Sequence, residues 1–378
     1  MPTFTHNILP TVLNTGILAP DWPAGFWSHM IIFVVILFLF VIFMAMGFIY
    51  FERRVISRFQ IRIGPNRVGP FGLFQPVADV IKILIKEDIV PLNADKLIHL
   101  LAPVAAIVPA IMVFAVIPFQ NGAALANLNI GILYIVAISS VSVVGMVMAG
   151  WGSNNKYALV SAMRVIAQVV SYEIPLALAI IGVVLFAGTL SMNGIVLAQK
   201  IPYILLQPLG FLIYFLGSMA EINRTPFDLL EAEGEIVAGY NIEYSGFKFA
   251  LFYLTEYTEA IAVSTIITTL YLSGWRGPFD SLPVLPVIWF LIKVFAVFAV
   301  IIWVRATLPR LRIDQVMGFA WKCLLPLALI NLLITGAQVV FWPNVSQWVF
   351  VGVNIVLAGV LIILFSRFFR TTGDKIEA

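Results

Sequence analysis

The sequence predicts an all-α, polytopic integral membrane protein with about nine transmembrane helices. Three observations carry that expectation: 61% of the 378 residues are hydrophobic, only 11% are charged, and the apolar residues form continuous blocks long enough to cross a bilayer. Soluble domains carry about twice that share of charge. Blocks that are apolar throughout, rather than alternating over about ten residues, argue against a transmembrane β-barrel.

In chain order the blocks run near 27–50, 97–119, 129–150, 160–188, 202–220, 248–271, 284–307, 323–342 and 346–366. No charged segment or small-residue cleavage site accompanies the first, which predicts a retained helix. At roughly 20 residues per span, positions 1–378 make one transmembrane domain with no sizeable domain outside it. Basic residues stay on the side from which a chain is inserted, and here their distribution is lopsided. Eight of the 22 Lys and Arg residues fall in the first connection and four flank the connection after the seventh span, whereas only Lys200 and Arg276 lie opposite, with Lys293 inside a span. This predicts a multi-pass protein of the plasma membrane with its N-terminus outside and its C-terminus cytoplasmic.

The inner connections are also the long ones. The first, 52–96, is basic and contains a stretch, Phe71 to Glu87, that puts Phe74, Val77, Ala78, Ile81 and Ile85 on one helical face and Asp79, Lys82 and Lys86 towards another. That pattern fits an amphipathic helix in the membrane interface; a surface helix packed on its neighbours would read the same way. The other, 221–247, is acidic, with Glu221, Asp228, Glu231, Glu233 and Glu235 inside fifteen residues. On a helix after Pro226, Asp228, Glu231 and Glu235 share a face, so their titrations are coupled; the plain alternative is a solvated acidic loop.

Acids within the apolar blocks need a partner, water or a proton, because an ionised carboxylate at mid-span costs about 2.5 to 3.5 kcal/mol. Glu173 lies in the fourth block, and Glu256 and Glu259 share a face of the sixth. Arg164 and Lys293 are available cations, so a static salt bridge stands beside a proton relay. Pro103, Pro109, Pro118 and Pro175, in or at the ends of spans, favour kinks that free backbone carbonyls for hydration. One cysteine, Cys323, rules out internal disulfides and an iron–sulfur cluster held by this chain alone. His6, His29 and His99 are too dispersed for a metal cage or a haem ligand pair, so no metal site is expected.

Four passages carry a family resemblance: ERRVISRFQIRIGPNRVGPFGLFQPVADVIKILIKE (52–87), GWGSNNKYALVSAMRVIAQVVSYEIP (150–175), AEINRTPFDLLEAEGEIVAGYNIEYSG (220–246) and RATLPRLRIDQVM (305–317). In order and spacing they resemble the quinone-site membrane subunit of respiratory complex I, the NADH:quinone oxidoreductase, of bacterial type. The resemblance implies a quinone chamber or its entry formed with Arg53, Arg62, Arg67, Asp79, Arg224, Phe227, Asp228, Glu231, Glu233 and Glu235. It implies a proton link through Glu173, Glu221 and Glu256. Glu259 has no place on the family pattern and joins the relay candidates only from its spacing. Arg305, Arg310, Arg312 and Asp314 match a third-loop motif whose role the resemblance leaves open.

The same resemblance implies quinone as substrate and no cofactor bound by this chain, with FMN and iron–sulfur clusters in partner subunits. Those partners would be peripheral-arm subunits carrying the terminal cluster, small membrane subunits and antiporter-like membrane subunits, within a lipid bilayer and without nucleic acid. The isolated chain is expected to have no redox activity and no catalytic residue of its own. Two related readings are the homologous membrane subunit of an energy-converting hydrogenase and that of a ferredoxin-fed complex. A third, an independent secondary transporter, fits the composition but lacks an inverted repeat between halves.

Overall fold

The computed structural model describes residues 26–122, 124–229, 239–278, 285–342 and 345–373. Among them are thirteen α-helices: α1 (Phe26–Phe59), α2 (Gln75–Ile85), α3 (Lys96–Met112), α4 (Gly131–Gly152), α5 (Lys156–Ala187), α6 (Met192–Ala198), α7 (Tyr203–Leu206), α8 (Pro208–Glu221), α9 (Gly246–Tyr271), α10 (Leu285–Thr307), α11 (Ile313–Phe319), α12 (Leu325–Phe341) and α13 (Gln347–Gly373). A wider π-type turn, Ala320–Leu324, joins α11 to α12. The protein is an all-α polytopic membrane protein. The chain divides into two units, Met1–Met44 and Ala45–Ala378. The described part of the first is a length of α1; the rest of α1 and every later helix belong to the second.

Among the described residues seven helices are long and apolar enough to span a membrane. The other two of the nine expected blocks are helical but differ for physical reasons. In the fifth, Gln207 and Pro208 divide the apolar run, so that α7 has 4 residues and α8 has 14. In the sixth, α9 is 26 residues long but rich in hydroxyls and acids. Its hydroxyls turn back onto the helix: Thr255 Oγ1 donates to Leu251 O at 2.8 Å, Thr258 to Leu254 O at 2.7 Å and Thr268 to Ser264 O at 2.8 Å. Each of these hydroxyls is thereby satisfied within α9, which suits a helix surrounded by others rather than by lipid.

The first apolar block ends near residue 50, yet α1 continues to Phe59 and carries Glu52, Arg53, Arg54 and Arg58 on its last turns. No glycine or proline stands between residue 50 and Gly64, so the helix has no reason to stop at the change in polarity. α1 packs on α10 through rings, with Phe48 stacked on Phe295 at 4.5 Å and edge-on to Phe298 at 4.3 Å. α3 and α4 approach closely because Gly145 has no side chain: a Cβ there would stand 2.6 Å from the Ala106 nitrogen. Ala102, Ala106, Met146, Ala149, Ala162 and Val165 then form a core of small side chains, closed by Tyr240, Tyr244 and Phe252. His99, fully buried, stacks on Tyr244 with centroids 4.0 Å apart.

The amphipathic stretch is helical as α2. Its face bearing Phe74, Val77, Ile81 and Ile85 is exposed, while Asp79 turns to α1 and pairs with Arg53. The chain after α2 is fastened to the start of α9. Ile89 N donates to Ser245 Oγ at 2.8 Å, Lys248 pairs with Asp88 at 2.9 Å, and Gly246, at φ 55°, lies so close that a Cβ would stand 3.0 Å from Lys86 O.

Candidate functional site

Two polar regions stand out, and a single turn joins them. The first gathers where the end of α1, the start of α9, the end of α10 and the turn after α8 meet. Glu52 is 3% exposed and accepts from two arginines, Arg224 Nη1 at 3.3 Å and Arg305 Nη1. The Arg224 guanidinium lies 4.6 Å from the centroid of Tyr257, whose hydroxyl is 3.3 Å from that of Tyr253. Burial works against the Arg224 charge, but the Glu52 carboxylate, with Tyr257 and Glu256 behind it, more than offsets this and holds its pKa above the usual arginine value. In front of the cluster lies an open cavity of about 400 Å³, lined by Glu52, Arg53, Arg62, Tyr253, Tyr257 and Arg305 among others.

The second region is enclosed by α3, α4, α5, α8 and α9. Glu173 of α5, Glu221 at the end of α8 and Glu259 of α9 line one small cavity of about 60 Å³ with Tyr214, Ser139 and Ser142, the rest of its wall being largely apolar. Ser140 Oγ donates to Glu173. Glu259 Oε1 is buried with no hydrogen-bond partner among the described residues. Glu256, one turn before it, does not line the cavity and instead contributes to the field at Arg224 and Tyr240.

The turn Glu221–Arg224 belongs to both regions, since Glu221 lines the interior cavity and Arg224 the ion-pair cluster. It is held from behind by Gln168 of α5, whose Nε2 donates to Ala220 O at 2.8 Å and to Phe227 O at 2.9 Å. Asn223, within the turn, takes φ 50°, a left-handed conformation that asparagine tolerates better than most residues.

The structure thus brings Arg53, Arg62, Asp79, Arg224 and Arg305 together around the open cavity or its edge, and Glu173, Glu221 and Glu259 around the inner one. Arg67 is exposed and lines neither. Phe227, 2% exposed, packs between Tyr172 and Phe319, with centroids 5.5 and 6.2 Å away. Asp228 pairs with Arg310 at 3.1 Å, and Leu311 N donates to Pro226 O at 3.0 Å, so the third-loop motif braces the acidic loop. Arg312 and Asp314 form an exposed local pair at 3.6 Å. Glu231, Glu233 and Glu235 lie outside the described residues.

Lys293, offered by the sequence as a cation for the buried acids, gives its ammonium hydrogens to the carbonyls of Leu272, Gly274 and Arg276 at 2.7, 2.9 and 2.6 Å. Those carbonyls lie just beyond the far end of α9. Sequence reasoning also missed Glu52, Tyr253 and Tyr257. A glutamate directly after an apolar span is the only local signal Glu52 gives. Among the described residues no group of three or more His, Cys, Asp or Glu could hold a metal ion, and Cys323 is buried away from both regions.

Residues 31–336 match the model of a family described as NADH dehydrogenase. The chain belongs to this family. Among its relatives are proteins named as the H subunit of NADH-quinone oxidoreductase. That of Dehalococcoides mccartyi (strain CBDB1) is 60% identical over 354 residues, covering 94% of this chain and 99% of the relative. That of Brevibacillus brevis is 49% identical, covering 86% of this chain and 97% of the relative. That of Geobacillus kaustophilus is 49% identical, covering 82% and 94%. Membership in the NADH dehydrogenase family therefore extends over both polar regions and the turn between them.

Proposed function

We propose that the chain is the membrane subunit of a proton-pumping NADH:quinone oxidoreductase, forming part of the quinone chamber and linking quinone reduction to proton translocation where the membrane and peripheral arms meet. The observation that carries this reading is the turn Glu221–Arg224, in which Glu221 lines the interior carboxylate cavity and Arg224 is paired with Glu52 in the wall of the arginine-lined cavity.

Quinone reduction takes up two electrons and two protons. The electrons would come from the terminal iron–sulfur cluster of a peripheral partner subunit, fed through FMN and further clusters. Within this chain, Arg53, Arg62 and Arg305 supply positive charge where negative charge develops on the headgroup oxygens, and Tyr253 and Tyr257 offer hydroxyls and ring faces. Arg67, Asp79 and the acidic loop with Asp228, Glu231, Glu233 and Glu235 complete the chamber or its entry, and Phe227 fixes the loop from behind. A change of charge at Arg224 is felt at Glu221, and Glu173, Glu221, Glu256 and Glu259 carry the response into the membrane. Their carboxyls gain or lose protons according to the charge of their neighbours.

In this reading the loops 52–96 and 221–247 face the cytoplasm with the C-terminus, the N-terminus lies outside, and the exposed apolar face of α2 lies against lipid at the quinone entrance. Small and antiporter-like membrane subunits receive the signal. The test is quinone reduction and proton pumping in membranes carrying Glu233→Gln or Glu173→Gln, once assembly of each complex is verified. Loss of quinone reduction in the first and of pumping in the second is expected. Survival of both activities in both variants would remove the reading.

A further inference from the structure

Beyond the residues that the family resemblance supplies, we propose that Glu52 is a positioning residue of the chamber, anchoring Arg224 and leaving Arg305 to face the headgroup. This rests on the functional reading above.

A carboxylate as buried as Glu52 persists only when paired, and here two guanidiniums share it. The two are not equivalent. The side chain of Arg224 is 7% exposed and is confined by Glu52, by the face of Tyr257 and by a turn that Gln168 holds. The side chain of Arg305 is 26% exposed, stands on the last turns of α10 and lines the open cavity directly. Arg224 Nη2 is buried without a partner among the described residues, so Glu52 is its main counter-charge.

Without Glu52 the two arginines would repel each other across the same space, and the cluster of three would carry two positive charges where it now carries a net one. Glu52 therefore fixes where the Arg305 guanidinium stands before a headgroup arrives, and how strongly the wall attracts one. An oxygen that gains negative charge on reduction competes with Glu52 for Arg305, while Arg224 stays in place. Glu52 need not touch the substrate to do this.

The test uses the intact complex in membranes. Glu52→Gln keeps the shape and removes the charge; misplacing a guanidinium by about 1 Å is expected to lower kcat for quinone roughly 10- to 100-fold. KM should change as well, with NADH-to-ferricyanide activity of the peripheral arm unaltered. Glu52→Asp keeps the charge and should fall between Glu52→Gln and the native protein. Native kcat and KM in both assembled variants would overturn the assignment. If Glu52→Gln does not assemble, the double variant Glu52→Gln, Arg305→Gln restores the net charge of the cluster, and it should assemble yet reduce quinone slowly. A double variant that fails to assemble, or that is as fast as the native protein, also overturns it. Measured beside Glu173→Gln and Glu233→Gln, the outcomes separate: losses there with normal Glu52 variants sink only this assignment, whereas normal activity in all of them sinks the functional reading.

Discussion

Gln168→Leu tests how far the site depends on one amide. Gln168 is fully buried, and its Nε2 satisfies Ala220 O and Phe227 O at 2.8 and 2.9 Å, with Asn223 Oδ1 at 3.4 Å. Leucine fills nearly the same volume but donates nothing, so Ala220 O and Phe227 O each lose a side-chain donor and keep only their backbone donors, Asn223 N at 3.2 Å and Leu229 N at 2.9 Å. Each lost hydrogen bond is worth about 0.5 to 1.5 kcal/mol, which gives about 1 to 3 kcal/mol for the pair. The turn escapes that cost by moving, and a shift of about 1 Å in catalytic geometry is worth up to about a hundredfold in rate. Glu221 and Arg224 move together, so quinone reduction and proton pumping should both fall in Gln168→Leu complexes that still assemble. Gln168→Glu should be worse, because a carboxylate would present an acceptor to three acceptors. The assay is quinone reductase activity and pumping in the same vesicles, with thermal stability of the purified complex alongside. If Gln168→Glu retains native rates and native melting, the turn does not depend on this amide and the reasoning fails.

Further expectations come from the packing. Gly145→Val should prevent α3 and α4 from meeting, since even a Cβ would stand 2.6 Å from the Ala106 nitrogen; overpacking of this kind costs about 1 to 3 kcal/mol or more, to be read as lower yield and melting temperature of the complex. Lys293→Met leaves the carbonyls of Leu272, Gly274 and Arg276 without their donor, so the variant should lose thermal stability while the KM for quinone stays unchanged. Arg312→Ala removes an exposed pair whose side chains are 77% and 68% accessible, and it should alter stability by less than about 1 kcal/mol; a larger loss would mean that a partner surface depends on Arg312.

The helices were legible in the sequence because a continuously apolar block crosses lipid as a helix, and every apolar block maps to a helix or a helix pair. Their ends were less so. Apolarity ends near residue 50, but no glycine or proline stands between there and Gly64, and α1 runs on to Phe59 by the turns that hold Glu52 and Arg53. The interior acids were conspicuous because a charge in an apolar block has few explanations, and Glu173, Glu221 and Glu259 do share a cavity. Glu256 and Glu259 looked equivalent from their i, i+3 spacing, and only the packing of α9 tells which of them lines that cavity. Glu52 was hidden for the opposite reason: it stands beside arginines at a span end, where charges are ordinary. Its partners lie 172 and 253 residues away, a distance no local pattern can encode.

The fastening of residues 86–89 to the start of α9 sets a limit on change in this region. Surface connections usually absorb inserted residues at little cost, because closing a slightly longer loop is cheap. Here Ser245 and Lys248 grip Ile89 and Asp88, and Gly246 leaves no room at Lys86 O. The same helix carries Tyr253, Tyr257 and Glu259 further along. An added or deleted residue between 86 and 90 would slip this joint and rotate or shift α9, so the connection should tolerate substitution far better than any change in its length.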